Sequence, residues 1–149
     1  KLLDEGFKHG IKIIGDGYDF ENIKNLKKEL GVNETVEMLG FTDNPYPYVK
    51  AADFYILSSR YEGFPTVLFE AITLKKNIIA TDVSGVQEML ENGKLGLIVA
   101  NSEEGIYEGM KKALSNPESF SQYQENLKDY KMPFNLENSV NKTMEVIDG

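Results

Sequence analysis

Short apolar segments alternate with longer segments of helical periodicity along most of the chain. Runs rich in Ile, Leu, Val and Phe occupy residues 11–15, 35–40, 53–59, 77–82 and 95–100. Each run is four to six residues of mainly apolar character, and Gly or polar residues bound most of them, which is typical of buried strands. We therefore predict five strands.

The intervening segments predict helices. Ile23, Leu26 and Leu30 recur at helical spacing before Gly31, a typical stop signal. Pro65 precedes a second helical segment, where proline is tolerated. Ser102 is placed to cap another. The predicted helices cover residues 21–30, 66–74, 84–92 and 102–115, a stretch from Pro117, and residues 135–147.

Apolar strands separated by helices predict a parallel sheet with helices on both faces. Right-handed crossovers then make it a doubly wound, Rossmann-like α/β fold. A length of 149 residues suits one domain, so we expect residues 1–149 to form a single domain. The chain opens with a charged, amphipathic stretch and no Met. We interpret it as a piece of a longer protein.

Composition removes several function classes. The chain has no cysteine and one histidine, His9, so disulfides, thiolate metal sites and multi-histidine sites are excluded. A net charge of -8 argues against nucleic acid as a partner. No apolar run approaches the ~20 residues of a membrane span. No signal peptide is visible.

Ligands of open parallel sheets bind beyond the carboxyl ends of the strands. The loop SSRYEGFP, residues 58–65, is the longest such loop and leads directly into a helix. Neither Gly-rich phosphate-loop fingerprint is present. A phosphate would instead be held by backbone amides at this helix start. The segment concerned comprises Gly63, Phe64, Pro65, Thr66 and Val67.

Two carboxylates flank the same turn. Glu62 lies on the loop, and Glu70 lies about one helical turn past Thr66, ~6 Å along the axis. Ionised carboxylates accept hydrogen bonds strongly, so vicinal hydroxyls of a nucleotide-sugar are suitable partners. The alternative is that Glu70 only complements the helix dipole and Glu62 is solvated. Spacing alone leaves both interpretations open.

The segment ADFYILSSRYEGFPTVLFEAITLKKNIIATDVSGVQEMLENGKLGLIV closely resembles the C-terminal, donor-binding domain of GT-B retaining glycosyltransferases of the family 4 type. The hallmark of that family, E-x7-E, is met by Glu62 and Glu70. The segment IIGDGYDFENIKNLKKELGVNETVEMLGF is similar to the preceding part of the same domain. The resemblance covers roughly Gly10 to Ala100.

The resemblance implies a hexosyltransferase that uses a nucleotide-diphosphate sugar, with UDP as the favoured nucleotide. Glu70 would bind the ribose, and Glu62 would contact the donor sugar near the reacting centre. Gly15 and Gly17 would line the donor cleft, and the loop with Phe41 would lie against the base. No metal or other cofactor is expected. The acceptor, a glycan or a lipid-linked sugar, would be reached through a missing N-terminal domain.

Departures from the family pattern lead to further expectations. The family's first strand is absent, and so is the Arg/Lys pair that follows it and neutralises the diphosphate. That strand would lie between the strands at 11–15 and 53–59, so either a gap remains there or the two strands close up and pair directly. We favour the gap, and therefore expect these two strands not to pair. The whole enzyme would act in polysaccharide biosynthesis in the cytoplasm, with membrane contact at the inner face through the missing domain. An epimerase-like enzyme of similar architecture and a non-catalytic α/β binding module are the alternatives.

Overall fold

The computed structural model describes residues 1–131. The chain divides into two compact units, Lys1–Ala51 and a second that begins at Ala52. Each unit is described by itself. The helix predicted at residues 135–147 lies outside the described residues.

The first unit contains two parallel strands and two helices. Its elements are β1 (Ile11–Ile14), α1 (Phe20–Glu29), β2 (Val36–Gly40) and α2 (Tyr46–Ala51). Strands β1 and β2 pair in register from Ile11 opposite Val36, with an irregularity between Ile13 and Ile14. The unit thus forms one β-α-β crossover followed by a short helix, as the alternating pattern predicts.

Helix α1 is exposed on the side predicted to face a core. Ile23, Leu26 and Leu30 retain 41%, 50% and 65% of their accessible surface. Helix α1 buries none of its residues. A sheet of two strands offers little apolar surface to cover, so the helix forms where its periodicity predicts without the expected burial.

The second unit is built on a three-stranded parallel sheet. Its elements are β3 (Phe54–Leu57), α3 (Val67–Thr73), β4 (Asn77–Thr81), α4 (Val86–Met89), β5 (Leu97–Val99), α5 (Glu103–Ser115), a 3-10 turn (Pro117–Phe120) and α6 (Ser121–Asp129). The strand order is β3-β4-β5, so β4 is central. Parallel pairing runs from Phe54 opposite Asn77 to Thr81 opposite Val99.

Strand β4 sends alternate side chains into two apolar clusters. Ile78 and Ala80 belong to a cluster with residues of α3, α4 and α6, including Leu68 and Leu127. Ile79 belongs to a second cluster with residues of α5 and the 3-10 turn. All three side chains are fully buried. Helices therefore cover both faces, which confirms the α/β class predicted from the continuous apolar strands.

The strands of the two units belong to separate sheets. Strand β1 pairs with β2, whereas β3 pairs with β4. The expectation that the segments IKII and FYIL do not pair directly is therefore confirmed for the described residues. The five strands predicted as one sheet appear as sheets of two and three strands.

Helix ends differ slightly from prediction. The helix predicted at 84–92 is reduced to Val86–Met89 because Gly85 before it, and Glu91 and Asn92 after it, have positive φ. The predicted cap of α5 is confirmed: the Ser102 hydroxyl accepts a hydrogen bond from the Gly105 amide at 3.0 Å.

Gly109 allows α5 to lie directly on the sheet. A Cβ at this position would approach Cγ2 of Ile79 to 2.9 Å and Cγ1 of Val99 to 3.0 Å. Both distances are closer than ordinary van der Waals contact, and both partners are branched core side chains. The helix and the strands can approach this closely only because residue 109 has no side chain.

We predict that Gly109→Ala destabilises the chain. Alanine favours a helix over glycine by about 1 kcal/mol, but overpacking a core costs about 1–3 kcal/mol. The net loss should appear as a lower denaturation midpoint in urea. Glu108→Ala, at an exposed position of the same helix, is the control and should change stability little. A Gly109→Ala variant more stable than the parent chain would contradict this packing.

Candidate active site

The loop at residues 58–65 leaves the carboxyl end of β3 and carries Glu62. Glu62 is half-buried. The Ser59 hydroxyl donates a hydrogen bond to its Oε1 at 2.6 Å. A hydrogen bond from a hydroxyl to a carboxylate is shorter and stronger than one between two neutral groups. The carboxylate of Glu62 is thus oriented by a side chain three residues earlier.

The backbone of the same loop is held by side chains from the neighbouring strand ends. The Thr81 hydroxyl, at the end of β4, lies 2.6 Å from the Ser59 carbonyl and 3.3 Å from the Leu57 carbonyl. It has one proton, so the shorter contact to Ser59 is the principal bond. Nδ2 of Asn101, just after β5, donates to the Arg60 carbonyl at 2.8 Å. Two successive carbonyls of the loop are therefore tied to two other strands.

Glu70 lies in the first turn of α3 and is half-buried. The charges of Glu70 and Glu62 both affect the pKa of Tyr55, which lies on β3. Burial, then the charge of Glu70, then that of Glu62 raise the pKa of Tyr55 to about 12. The charges of both carboxylates therefore act on one phenol. Tyr55 stays neutral at physiological pH and remains a hydrogen-bond donor.

The turn between the two glutamates is packed against a second loop. Gly85 has φ of +82°, and a Cβ there would lie 3.1 Å from Cδ of Pro65 and 3.3 Å from Cδ2 of Phe64. The Phe64 ring packs on Phe69 of α3 at 5.6 Å between centroids. Gly85 therefore lets the loop after β4 support the Gly-Phe-Pro turn.

The amides predicted to hold a phosphate are partly engaged. The Thr66 amide donates to the Phe64 carbonyl at 2.8 Å, and the Leu68 amide donates to the Pro65 carbonyl at 2.9 Å. Helix α3 itself begins at Val67. A phosphate held at Gly63–Val67 would thus compete with an internal bond at Thr66. The phosphate role of this segment stays a prediction.

The remaining predicted residues lie in the first unit. Gly15 has φ of +128°, and its amide donates to the Gly40 carbonyl at 2.8 Å. The Gly17 amide donates to Oδ1 of Asp16 at 2.7 Å. Phe41 follows β2 and is 73% exposed. Gly15 and Phe41 directly follow β1 and β2, and the roles of all three residues toward a ligand remain predictions.

A groove of about 510 Å³ lies beside the loop. Its lining includes Arg60, Tyr61, Thr81, Asn101 and Glu103. The guanidinium of Arg60 lies 3.9 Å from Oε1 of Glu103, and both side chains are largely exposed. Such an exposed ion pair contributes little stability.

Sequence analysis missed three residues of this site: Thr81, Gly85 and Asn101. Thr81 is a polar residue at the end of an otherwise apolar strand, and Gly85 ends a loop at the ligand edge of the sheet. These two features mark the loop after β4 as a candidate part of the site, but they do not indicate that it supports the loop with Glu62. Thr81 and Asn101 contact residues 22 and 41 positions earlier in the chain, and a local sequence pattern cannot predict such distant partners.

The family Glycosyl transferases group 1 matches residues 8–130. The chain belongs to this family.

Curated relatives support the assignment. The chain is 33% identical over 108 residues to the N-acetylgalactosamine-N,N'-diacetylbacillosaminyl-diphospho-undecaprenol 4-alpha-N-acetylgalactosaminyltransferase of Campylobacter jejuni, a match covering 71% of this chain and 30% of that protein. It is 35% identical over 91 residues to the lipopolysaccharide 1,6-galactosyltransferase of Salmonella typhimurium, covering 58% of this chain and 25% of that protein. The chain thus spans about a third or less of these relatives.

Solved structures share the fold. The structure of WaaG, a glycosyltransferase involved in lipopolysaccharide biosynthesis, matches with a TM-score of 0.73 at 19% identity over 99% of this chain and 50% of that one. Anabaena HepE in complex with UDP matches with a TM-score of 0.71 at 21% identity over 80% of this chain and 35% of that one. The architecture of this chain is therefore that of a part of such glycosyltransferases.

Hydropathy of the described helices adds one observation. Within residues 1–131, none of the helices has the length and apolar character needed to span a bilayer.

The coupling of Tyr55 to the two glutamates can be measured. A folded-state pKa above the ordinary value near 10 stabilises the fold below pH 10, and that contribution is lost as pH rises through about 12. We predict that Glu70→Gln lowers the pKa of Tyr55, followed as phenolate absorbance, and that Glu62→Gln lowers it less. Glu108→Gln is the control. A Tyr55 pKa that is unchanged in Glu70→Gln would contradict the electrostatic effect of Glu70 on this phenol. Tyr55→Phe shows which part of the absorbance change belongs to Tyr55.

Proposed function

We propose that this chain is the donor-binding part of a retaining glycosyltransferase of the family 4 type, with Glu62 and Glu70 as its E-x7-E motif. The donor would be a nucleotide-diphosphate sugar, with UDP as the favoured nucleotide. The observation that carries the proposal is the Glu62 carboxylate, which Ser59 holds on the loop that leaves β3, with Glu70 in the first turn of the helix that this loop enters. The fold shared with UDP-bound HepE supports it.

The two carboxylates would have separate roles. Glu70 belongs to a helix whose neighbouring residues Phe69 and Ala71 are buried, so its position is rigid and suits a ribose contact made throughout the reaction. Glu62 is on a loop and is oriented by Ser59, which suits a contact with the donor sugar at the reacting centre. Gly15, Gly17 and Phe41 would belong to the nucleotide-binding surface of the first unit.

Retention would proceed on one face of the sugar. The bond between the anomeric carbon and the diphosphate oxygen breaks, and the bond to the acceptor oxygen forms on the same face. The acceptor proton passes to the departing phosphate oxygen, so no protein side chain need act as general base. The contribution of the site would be mainly electrostatic and positional. No metal ion or other cofactor is part of this proposal.

The acceptor would be a glycan or a lipid-linked sugar. The Campylobacter jejuni relative is named for an undecaprenol-diphosphate-linked acceptor, and the Salmonella typhimurium relative for lipopolysaccharide. These names support a role in polysaccharide biosynthesis. The proposal places the complete enzyme in the cytoplasm, at the inner face of the membrane. Contact with the acceptor and the membrane would come through a second domain.

We predict that Glu70→Ala weakens UDP binding by about 1–3 kcal/mol, because a charged hydrogen bond to the ribose is lost. Glu62→Ala should leave UDP affinity nearly unchanged and lower the turnover of the complete enzyme. Calorimetric titration of UDP measures the first effect and a transfer assay the second. Glu88→Ala, at an exposed position of α4, is the control. Unchanged UDP affinity in Glu70→Ala would refute the ribose role.

We also predict that the 149-residue chain alone transfers no sugar. Its proposed role supplies donor contacts, while the acceptor surface would belong to a second domain. The measurement is release of UDP and formation of product with the purified chain, compared with the complete enzyme. Robust transfer by the chain alone would show that the two-domain interpretation is wrong.

A further inference from the structure

The end of β4 carries a buried hydroxyl in a position that packing alone does not require. Thr81 is 2% exposed and follows Ile78, Ile79 and Ala80, which are fully buried. Valine has the same shape and would suit a buried strand. Burying a hydroxyl costs free energy unless it is hydrogen-bonded. The bond that compensates this cost runs to the Ser59 carbonyl, outside the regular pairing of the sheet.

That bond is the first of two successive contacts that lead to Glu62. The Thr81 hydroxyl lies 2.6 Å from the Ser59 carbonyl, and the Ser59 hydroxyl lies 2.6 Å from Oε1 of Glu62. The first contact fixes the backbone of Ser59, and the second uses its side chain. The direction of the Ser59 side chain depends on its backbone. The orientation of the Glu62 carboxylate therefore depends on a residue 19 positions later in the sequence.

Asn101, just after β5, reinforces the same stretch of the loop. Its amide nitrogen donates to the Arg60 carbonyl at 2.8 Å, so adjacent carbonyls of the loop are bound by two strand ends. The Asn101 contact is exposed, whereas Thr81 is buried. Solvent can replace an exposed hydrogen bond at small cost. The Thr81 contact is therefore the stronger constraint on the loop.

We propose that Thr81 is a positioning residue for Glu62, acting through Ser59, with Asn101 as a weaker second support. This inference rests on the proposed role of Glu62 at the reacting centre. A displacement of about 1 Å in a reacting group can lower a rate by about 10²-fold. We expect the support to act on turnover rather than on nucleotide binding, because Glu70 lies on α3 and not on the loop that Thr81 and Asn101 contact.

The experiment compares variants of the complete enzyme that remove the hydroxyl or keep it. We expect Thr81→Val to lower kcat by about 10- to 100-fold, within the range for a misplaced group. UDP affinity should stay within about twofold, since that change is under 0.5 kcal/mol. Thr81→Ser keeps the hydroxyl and should retain kcat within about threefold. Asn101→Ala should give a smaller loss than Thr81→Val.

A second Thr→Val substitution provides a matched control. The hydroxyl oxygen of Thr73, on α3, is buried and has no hydrogen-bond partner among residues 1–131. Thr73→Val should therefore leave kcat unchanged. Ser59→Ala is the alternative variant if Thr81→Val fails to fold, because it removes the last contact without altering the core. It should reproduce the loss of kcat.

Combination with Glu62→Gln separates positioning from general damage. If Thr81 acts through Glu62, adding Thr81→Val to Glu62→Gln should lower kcat little further, because effects of coupled residues are not additive. Fully multiplicative losses would overturn the proposal, as would wild-type kcat in both Thr81→Val and Ser59→Ala. Wild-type kcat in Glu62→Gln would instead refute the role of Glu62 itself, and the positioning inference with it.

Discussion

The burial of β4 on both faces is the constraint on which the second unit depends. Ile78, Ile79 and Ala80 are fully buried, so helices must cover both sides of the strand and every backbone group must find a partner within the sheet. Parallel pairing with β3 and β5 satisfies this requirement. It also directs the carboxyl ends of all three strands to one edge. The loops that begin at Ser58, Asp82 and Ala100 are therefore neighbours, although long stretches of sequence separate them.

Because these loops meet at one edge of the sheet, side chains at the ends of β4 and β5 can hold the backbone of the loop after β3. Thr81 and Asn101 contact the Ser59 and Arg60 carbonyls, and Gly85 accommodates Phe64 and Pro65. The loop with Glu62 is thus supported by β4 and β5 as well as by its own strand. A fold supplies general architecture, whereas a site requires such specific contacts. Here the contacts that orient the carboxylate come directly from the strand order.

The sequence predicted what depends on local pattern. Apolar runs located the strands, Ser102 located the start of α5, and the two glutamates marked the principal loop. It could not predict the support from Thr81, because a hydroxyl at a strand end has no periodicity and its partner is 22 residues away. It also failed at α1, whose apolar stripe correctly predicts a helix but not its burial. The periodicity of apolar residues shows that a helix is amphipathic. Whether its apolar side is buried depends on the strands or helices that pack against it.

Electrostatics set the remaining requirement of the proposed chemistry. The charges of Glu70 and Glu62 add to burial in raising the pKa of Tyr55, so the local potential is negative before any ligand arrives. A nucleotide diphosphate adds further negative charge. Arg60, the only arginine in the sequence, is 80% exposed and lies 3.9 Å from Glu103, so its charge is partly compensated and screened by solvent. Hydroxyl groups of the ribose and the sugar suit the carboxylates, but the diphosphate does not. Under the proposed mechanism, transfer by the complete enzyme would therefore require positive charge beyond that of Arg60, at the place where the diphosphate departs.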